Sequence, residues 1–109
     1  MILGLAPMDG FTDCAFRIIT KEIFEKYNTN SDHSLFLRTE FMSADGYIAN
    51  PIGVCKHLLS TKFEKNLTLQ IHGGNEKNLI KTIVDVQKKY SDFFSTIELN
   101  LGCPANNVM

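Results

Sequence analysis

The chain has 109 residues, which is enough for one small domain at most. Its apolar fraction of 44% and charged fraction of 21% are ordinary for a soluble globular chain, and its net charge of −1 gives no footprint for nucleic acid by itself. The N-terminal apolar run has no basic region and is too short for a signal peptide or a membrane span. We therefore expect a cytoplasmic protein without a membrane partner.

The chain contains three cysteines, Cys14, Cys55 and Cys103, without C-x-x-C spacing. Neither a disulfide framework nor a metal site is expected from this pattern, and a reducing compartment fits it best. Cys14 and Cys55 fall in predicted helices and are interpreted as small buried side chains. Cys103 follows a predicted strand and Gly102, at a position where a thiol can act as a nucleophile or a proton donor.

Apolar periodicity predicts strands that alternate with helices. Strands are predicted over 2–6, 35–41, 67–72 and 93–100, and helices over 14–27, 52–59 and 75–90. The stripe formed by Phe16, Ile19 and Ile23 is typical of a helix face that packs on a core. The order β-α-β-α-β-α-β, at about 30 residues per unit, indicates a parallel sheet.

Two α/β folds have this order of elements. One is the (β/α)8 TIM barrel, of which residues 1–109 would be roughly the first half, because a full barrel needs about 250 residues. The other is an open doubly wound sheet, which often has a glycine-rich phosphate turn after its first strand. The corresponding turn, Pro7–Gly10, lacks the G-x-G-x-x-G pattern. This absence favours the half barrel.

Each predicted strand ends in polar residues, which a barrel would bring to one face. These residues are Asp9, Glu40, Gln70 and Asn100. Buried polar groups need partners, and a ligand is one candidate. Gln70 can read the edge of a heterocycle such as a flavin or bond to neighbouring backbone, and Asn100 can do the same or begin an Asx turn at Gly102.

Two further polar side chains near the strand ends have open roles. Glu40 can act as an acid or base, or it can form a structural ion pair with Arg38 or Arg17. His72 is followed by two glycines and is expected to face the solvent without a catalytic role.

Three sequence motifs match those of one protein family in both order and spacing. Leu5–Arg17 resembles the opening motif of tRNA-dihydrouridine synthases, in which an apolar strand is followed by A-P-M-x-G-x-T-D and then F-R. Leu69–Gly73 resembles their third-strand glutamine motif, and Glu98–Ala105 resembles their D-x-N-x-G-C-P motif, with Glu98 in the place of the usual Asp. Thr39–Phe41 resembles the end of their second strand. The resemblance covers essentially the whole chain.

The resemblance implies a flavin-dependent oxidoreductase with an FMN-binding barrel and a C-terminal helical domain that binds tRNA. Residues 1–109 would form the N-terminal half of the barrel, and the rest of the barrel and the helical domain would lie beyond them. The implied reaction reduces the C5–C6 double bond of specific uridines in tRNA. Reduced FMN, regenerated by NADPH, would deliver hydride to C6, and Cys103 would protonate C5 as the general acid.

The same motifs imply roles for the other site residues. Pro7, Met8 and Asp9 would line the flavin, mainly through their backbone. Gln70 would bond to the flavin ring, and Asn100 would lie beside the flavin and the target uridine, which has to be flipped out of its stack. No metal is implied.

Two alternatives remain open from the sequence. The chain can belong to another FMN-dependent barrel oxidoreductase that acts on a small molecule, similar to dihydroorotate dehydrogenase, or it can be a non-catalytic fragment. A polypeptide limited to these residues is expected to fold poorly and to bind FMN weakly, because a half barrel leaves a sheet edge unpaired.

Overall fold

The computed structural model of the protein describes residues 1–29, 32–58, 60, 64 and 66–102. These residues form four strands, four α-helices and one short 3-10 helix. The strands are β1 (Ile2–Gly4), β2 (Ser34–Ser43), β3 (Leu67–His72) and β4 (Thr96–Leu99). The helices are α1 (Cys14–Tyr27), α2 (Ala44–Ala49), α3 (Pro51–Val54), the 3-10 helix Cys55–Leu58 and α4 (Glu76–Tyr90).

The four strands form one parallel sheet in the order β1-β2-β3-β4. In a doubly wound sheet the strand order reverses at a switch point, whereas a barrel adds each new strand beside the previous one. The sequential order confirms the predicted first half of a (β/α)8 barrel. Among the described residues, no helix is long and apolar enough to cross a membrane.

Side-chain caps begin the long helices where the sequence predicts them. The carboxylate of Asp13 accepts a hydrogen bond from the Phe16 amide at 2.8 Å, and the Asn75 side chain accepts one from the Asn78 amide at 3.1 Å. The short helix predicted over 52–59 is present as α3 followed directly by the 3-10 helix, whereas α2 is not predicted from the sequence. The side chain of Ser43 caps the start of α2, and that of Asn50 caps the start of α3.

The core lies between one face of the sheet and the helices α2 and α4. Its buried members include Leu37, Met42, Leu67, Leu69, Ile71 and Val86. The predicted core stripe of α1 is not part of it, because Phe16, Ile19 and Ile23 are 40%, 56% and 55% exposed. The described sheet ends at β1, so no described element covers that face of α1.

A register shift in β2 changes which of its residues face the core. Leu37 pairs with Leu67 and Met42 with Ile71, so the shift between Arg38 and Phe41 places two residues against one of β3. Without the shift, strict alternation would put Arg38 and Met42 on the same face. The bulge instead buries Met42 in the core and leaves Arg38 and Phe41 on the opposite face.

Candidate active site on the interior face of the sheet

The sheet face opposite the core is rich in polar side chains. We call it the interior face, because it would line the inside of a closed barrel. By register, its members include Arg38, Phe41, Thr68, Gln70, His72 and Glu98. Buried polar side chains need hydrogen-bond partners, and the structure shows most of the partners of these residues.

Gln70 lies near the middle of this face and is 8% exposed. Its side-chain oxygen accepts a hydrogen bond from Nδ2 of Asn100 at 2.9 Å, and its Nε2 donates to Oε2 of Glu98 at 3.4 Å. Its backbone amide donates to Oγ1 of Thr39 at 3.1 Å. The alternative in which the Gln70 side chain bonds to neighbouring backbone is therefore wrong. One hydrogen of Nε2 has no partner among the described residues, since an amide nitrogen has two.

Asn100 continues the ladder one residue past β4. Its backbone amide donates to the Ile71 carbonyl at 2.8 Å, and its Oδ1 accepts from the Gly102 amide at 3.1 Å. The second bond is the Asx-type turn anticipated from the sequence. The Asx turn predicted for Asn100 is confirmed, and Asn100 also contacts the side chain of Gln70, which the sequence does not predict.

Glu98 and Arg38 form a two-pronged ion pair beside Gln70. Arg38 Nε lies 2.9 Å from Glu98 Oε2, and Arg38 Nη2 lies 3.0 Å from Oε1. The hydrogen bonds from the Arg38 guanidinium lower the pKa of Glu98 below its usual value. Glu98 is thus ionised near neutral pH and can only accept hydrogen bonds. Sequence reasoning missed this pair, whose members are separated by 60 residues.

The turn after β1 holds Pro7, Met8 and Asp9. The Met8 amide donates to Oγ1 of Thr12 at 3.0 Å, and the Met8 carbonyl accepts from the Thr12 amide at 3.0 Å. The Met8 backbone is thus hydrogen-bonded within the turn, and the residue is 39% exposed. Burial lowers the pKa of both His57 and His72, and the carboxylate of Asp9 partly opposes this shift at each of them.

Glu40 pairs with a histidine and not with an arginine. One carboxylate oxygen of Glu40 lies 3.1 Å from Nδ1 of His57, and both side chains are 10% exposed. Burial lowers the pKa of His57, while the Glu40 carboxylate opposes that shift. The predicted structural pair of Glu40 with Arg38 or Arg17 is wrong, because those arginines contact Glu98 and Glu64 instead.

His72 is buried and does not face the solvent as expected. It is 3% exposed and packs edge-on against Phe41, with ring centroids 5.5 Å apart. Burial lowers its pKa, and its Nδ1 has no hydrogen-bond partner within the described ranges.

The three cysteines compare differently with their predicted environments. Cys103 lies outside the described residues. Cys14 is half-buried, its thiol donates to Oε2 of Glu64 at 3.3 Å, and burial raises its pKa. Cys55 is exposed, so its predicted burial is wrong. In the part of the chain that the structure describes, no cluster of three or more His, Cys, Asp or Glu side chains could hold a metal ion.

The structure thus brings Gln70 and Asn100 into direct contact and adds Glu98 and Arg38 to them. Comparison with protein-family models gives a match to dihydrouridine synthase over residues 4–109. Searches of curated proteins and of solved structures gave no significant match.

Proposed function

Because the chain belongs to the dihydrouridine synthase family, we propose that it forms the N-terminal half of the barrel of an enzyme that reduces uridines in tRNA to 5,6-dihydrouridine. The observation that carries this proposal is the family match, which spans nearly all of the chain. The parallel sheet and its polar interior face agree with it.

The residues on the interior face fit a flavin ring. The pyrimidine edge of a flavin offers carbonyl oxygens and ring nitrogens, which need donors and acceptors in fixed positions. Gln70 is nearly buried and has an Nε2 hydrogen without a described partner, so a ligand group can accept it. In this proposal Gln70 bonds to the ring of FMN, and Pro7, Met8 and Asp9 line the ring from the turn after β1.

The protein's own part of the reaction is to position the base and supply one proton. When bound, FMN reduced by NADPH supplies the hydride that reaches C6 of the uracil ring. Cys103 donates its thiol proton to C5 and becomes a thiolate, so that the hydride and the proton together saturate the double bond. A thiol suits this step near neutral pH, because its reference pKa is about 8.5. Asn100 orients the flipped uridine beside the ring.

Replacing the proposed proton donor tests this assignment. We expect Cys103→Ala to leave FMN affinity unchanged and to lower dihydrouridine formation in tRNA by a factor of about 10² or more, the usual contribution of a general acid. Both quantities are measured on the full-length enzyme, by flavin fluorescence titration and by the dihydrouridine content of tRNA.

Cys55→Ala is the matched control, because Cys55 is an exposed thiol on the 3-10 helix. It should retain normal turnover. If Cys103→Ala also retained normal turnover, Cys103 would not be the proton donor.

A further inference from the structure

Side chains of β2, β3 and β4, together with Asn100 just after β4, form one hydrogen-bonded chain on the interior face. Arg38 of β2 holds Glu98 of β4, Glu98 accepts from Gln70 of β3, and Gln70 accepts from Asn100. Gly4 of β1 borders the same chain, because a Cβ placed there would come within 2.8 Å of Nη1 of Arg38. The missing side chain at Gly4 leaves the space that the guanidinium occupies.

This chain has a fixed donor and acceptor polarity. At one end the Gly102 amide can only donate, so the oxygen of Asn100 faces it and Nδ2 of Asn100 faces Gln70. The oxygen of Gln70 must accept that bond, and its Nε2 must therefore face Glu98. At the other end an ionised carboxylate can only accept. Reversing the Gln70 amide would set its oxygen against the Glu98 carboxylate.

From this geometry we propose that Arg38 and Glu98 are positioning residues for the flavin site, which fix the side-chain amide of Gln70 so that its remaining Nε2 hydrogen is presented to the flavin ring. The inference rests on the proposed function, since it takes FMN to be the ligand of Gln70. Arg38 holds the Glu98 carboxylate in place through two hydrogen bonds. Glu98 then dictates the orientation of the amide.

The exposure of the ion pair separates this role from a contribution to folding. The side chains of Arg38 and Glu98 are 29% and 34% exposed. A partly exposed pair contributes little to stability, because water competes for both charges. A variant that breaks the pair should therefore remain folded and lose flavin affinity.

The test measures dissociation constants for FMN and for riboflavin, which has the same ring without the phosphate, in the full-length enzyme and its variants. Arg38→Met should weaken the binding of both ligands by about tenfold, the usual effect of one misdirected hydrogen bond. Arg38→Lys should recover part of the affinity, because an ammonium keeps the charge and loses the two-pronged geometry. Glu98→Gln should also weaken binding, since an amide at this position accepts either orientation of Gln70.

Two controls and a double variant make the test specific. Lys21→Met removes a cation from a partly exposed ion pair with Glu25 on α1 and should leave flavin affinity unchanged. Gly4→Ala should displace the Arg38 guanidinium and weaken binding, whereas Gly74→Ala, where a Cβ would meet nothing within 4 Å, should not. In a Gln70→Ala background, Arg38→Met should have no further effect on affinity, because the amide that it orients is gone.

The outcomes distinguish the two proposals. Equal FMN affinity in the unmodified protein and in Arg38→Met would overturn the positioning role alone. An undiminished effect of Arg38→Met in the Gln70→Ala background would also overturn it, because Arg38 would then act by another route. If the unmodified full-length enzyme, with its complete barrel, bound no flavin, both the positioning role and the proposed function would be overturned.

Discussion

Two histidines near the strand ends are buried, and they should make the stability of the protein depend on pH. Burial lowers the pKa of His72 below its ordinary value of 6.5, and it does the same for His57. For His72 the nearby carboxylates of Asp45 and Asp9 oppose this shift without reversing it, and His57 adds to it. The unfolded chain therefore takes up a proton at a pH where the folded protein does not.

We predict that the free energy of unfolding is at its full value above about pH 6.5 and falls as the pH is lowered toward the folded-state pKa of the histidines. Chemical denaturation between pH 8 and pH 5 measures this decline. His72→Gln should make the decline smaller, because glutamine does not titrate. An equal decline in the protein and in His72→Gln would show that His72 is not responsible.

At the residue scale, the sequence predicts the members of the site better than their contacts. Gln70 and Asn100 are named from strand ends and motifs, and the structure joins them at 2.9 Å. The partners Arg38 and Glu98 are separated by 60 residues, and only the β2-β3-β4 register brings them together. The burial of His72 was missed because following glycines say nothing about the packing of Phe41 against its ring.

At the scale of elements, an ion pair between Arg17 and Glu64 ties the start of α1 to the segment before β3. Nε of Arg17 lies 2.5 Å from Oε1 of Glu64, and the two side chains are 2% and 0% exposed. Nη1 of Arg17 also donates to the carbonyl of Thr12 at 2.8 Å. Since Thr12 closes the turn that contains Met8, this pair also supports the loop proposed to line the flavin.

We predict that Arg17→Met lowers the free energy of unfolding by about 3 kcal/mol or more, because it leaves the Glu64 carboxylate buried without this partner. Urea denaturation measures the change. Lys21→Met is the control on the same helix, since its pair with Glu25 is partly exposed, joins residues four apart and contributes about 0.5 kcal/mol or less. A similar small change in both variants would mean that the buried pair does not stabilise the fold.

The two long helices are predicted closely, strands β1 and β4 are shorter than predicted, and α2 is not predicted at all. Strong periodicity and a capping residue define α1 and α4, so their ends agree closely with the prediction. The region 44–58 has no long period, and its short helices depend on local caps and on tertiary contacts such as the bond from the Tyr47 hydroxyl to Asp85. The bulge between Arg38 and Phe41 depends on the pairing of β2 with β3, and the pattern of apolar residues in the sequence does not predict it.

At the scale of the whole molecule, the two faces of the four-stranded sheet have different roles. One face packs on α2 and α4 to form the core, and the other carries the polar chain from Arg38 to Asn100. Because of the bulge in β2, Met42 points into the core while Arg38 lies on the interior face. In a closed barrel this face would line the interior. Its members nearest the carboxyl ends of the strands would lie where barrel enzymes have their active sites.

The most direct test of this function is the reaction of the protein with tRNA that lacks dihydrouridine, in the presence of FMN and NADPH. We predict that dihydrouridine appears in the tRNA and that its formation requires both FMN and NADPH. Flavin-dependent reduction of a small molecule such as orotate, with no dihydrouridine formed in tRNA, would contradict the proposal and favour a small-molecule oxidoreductase.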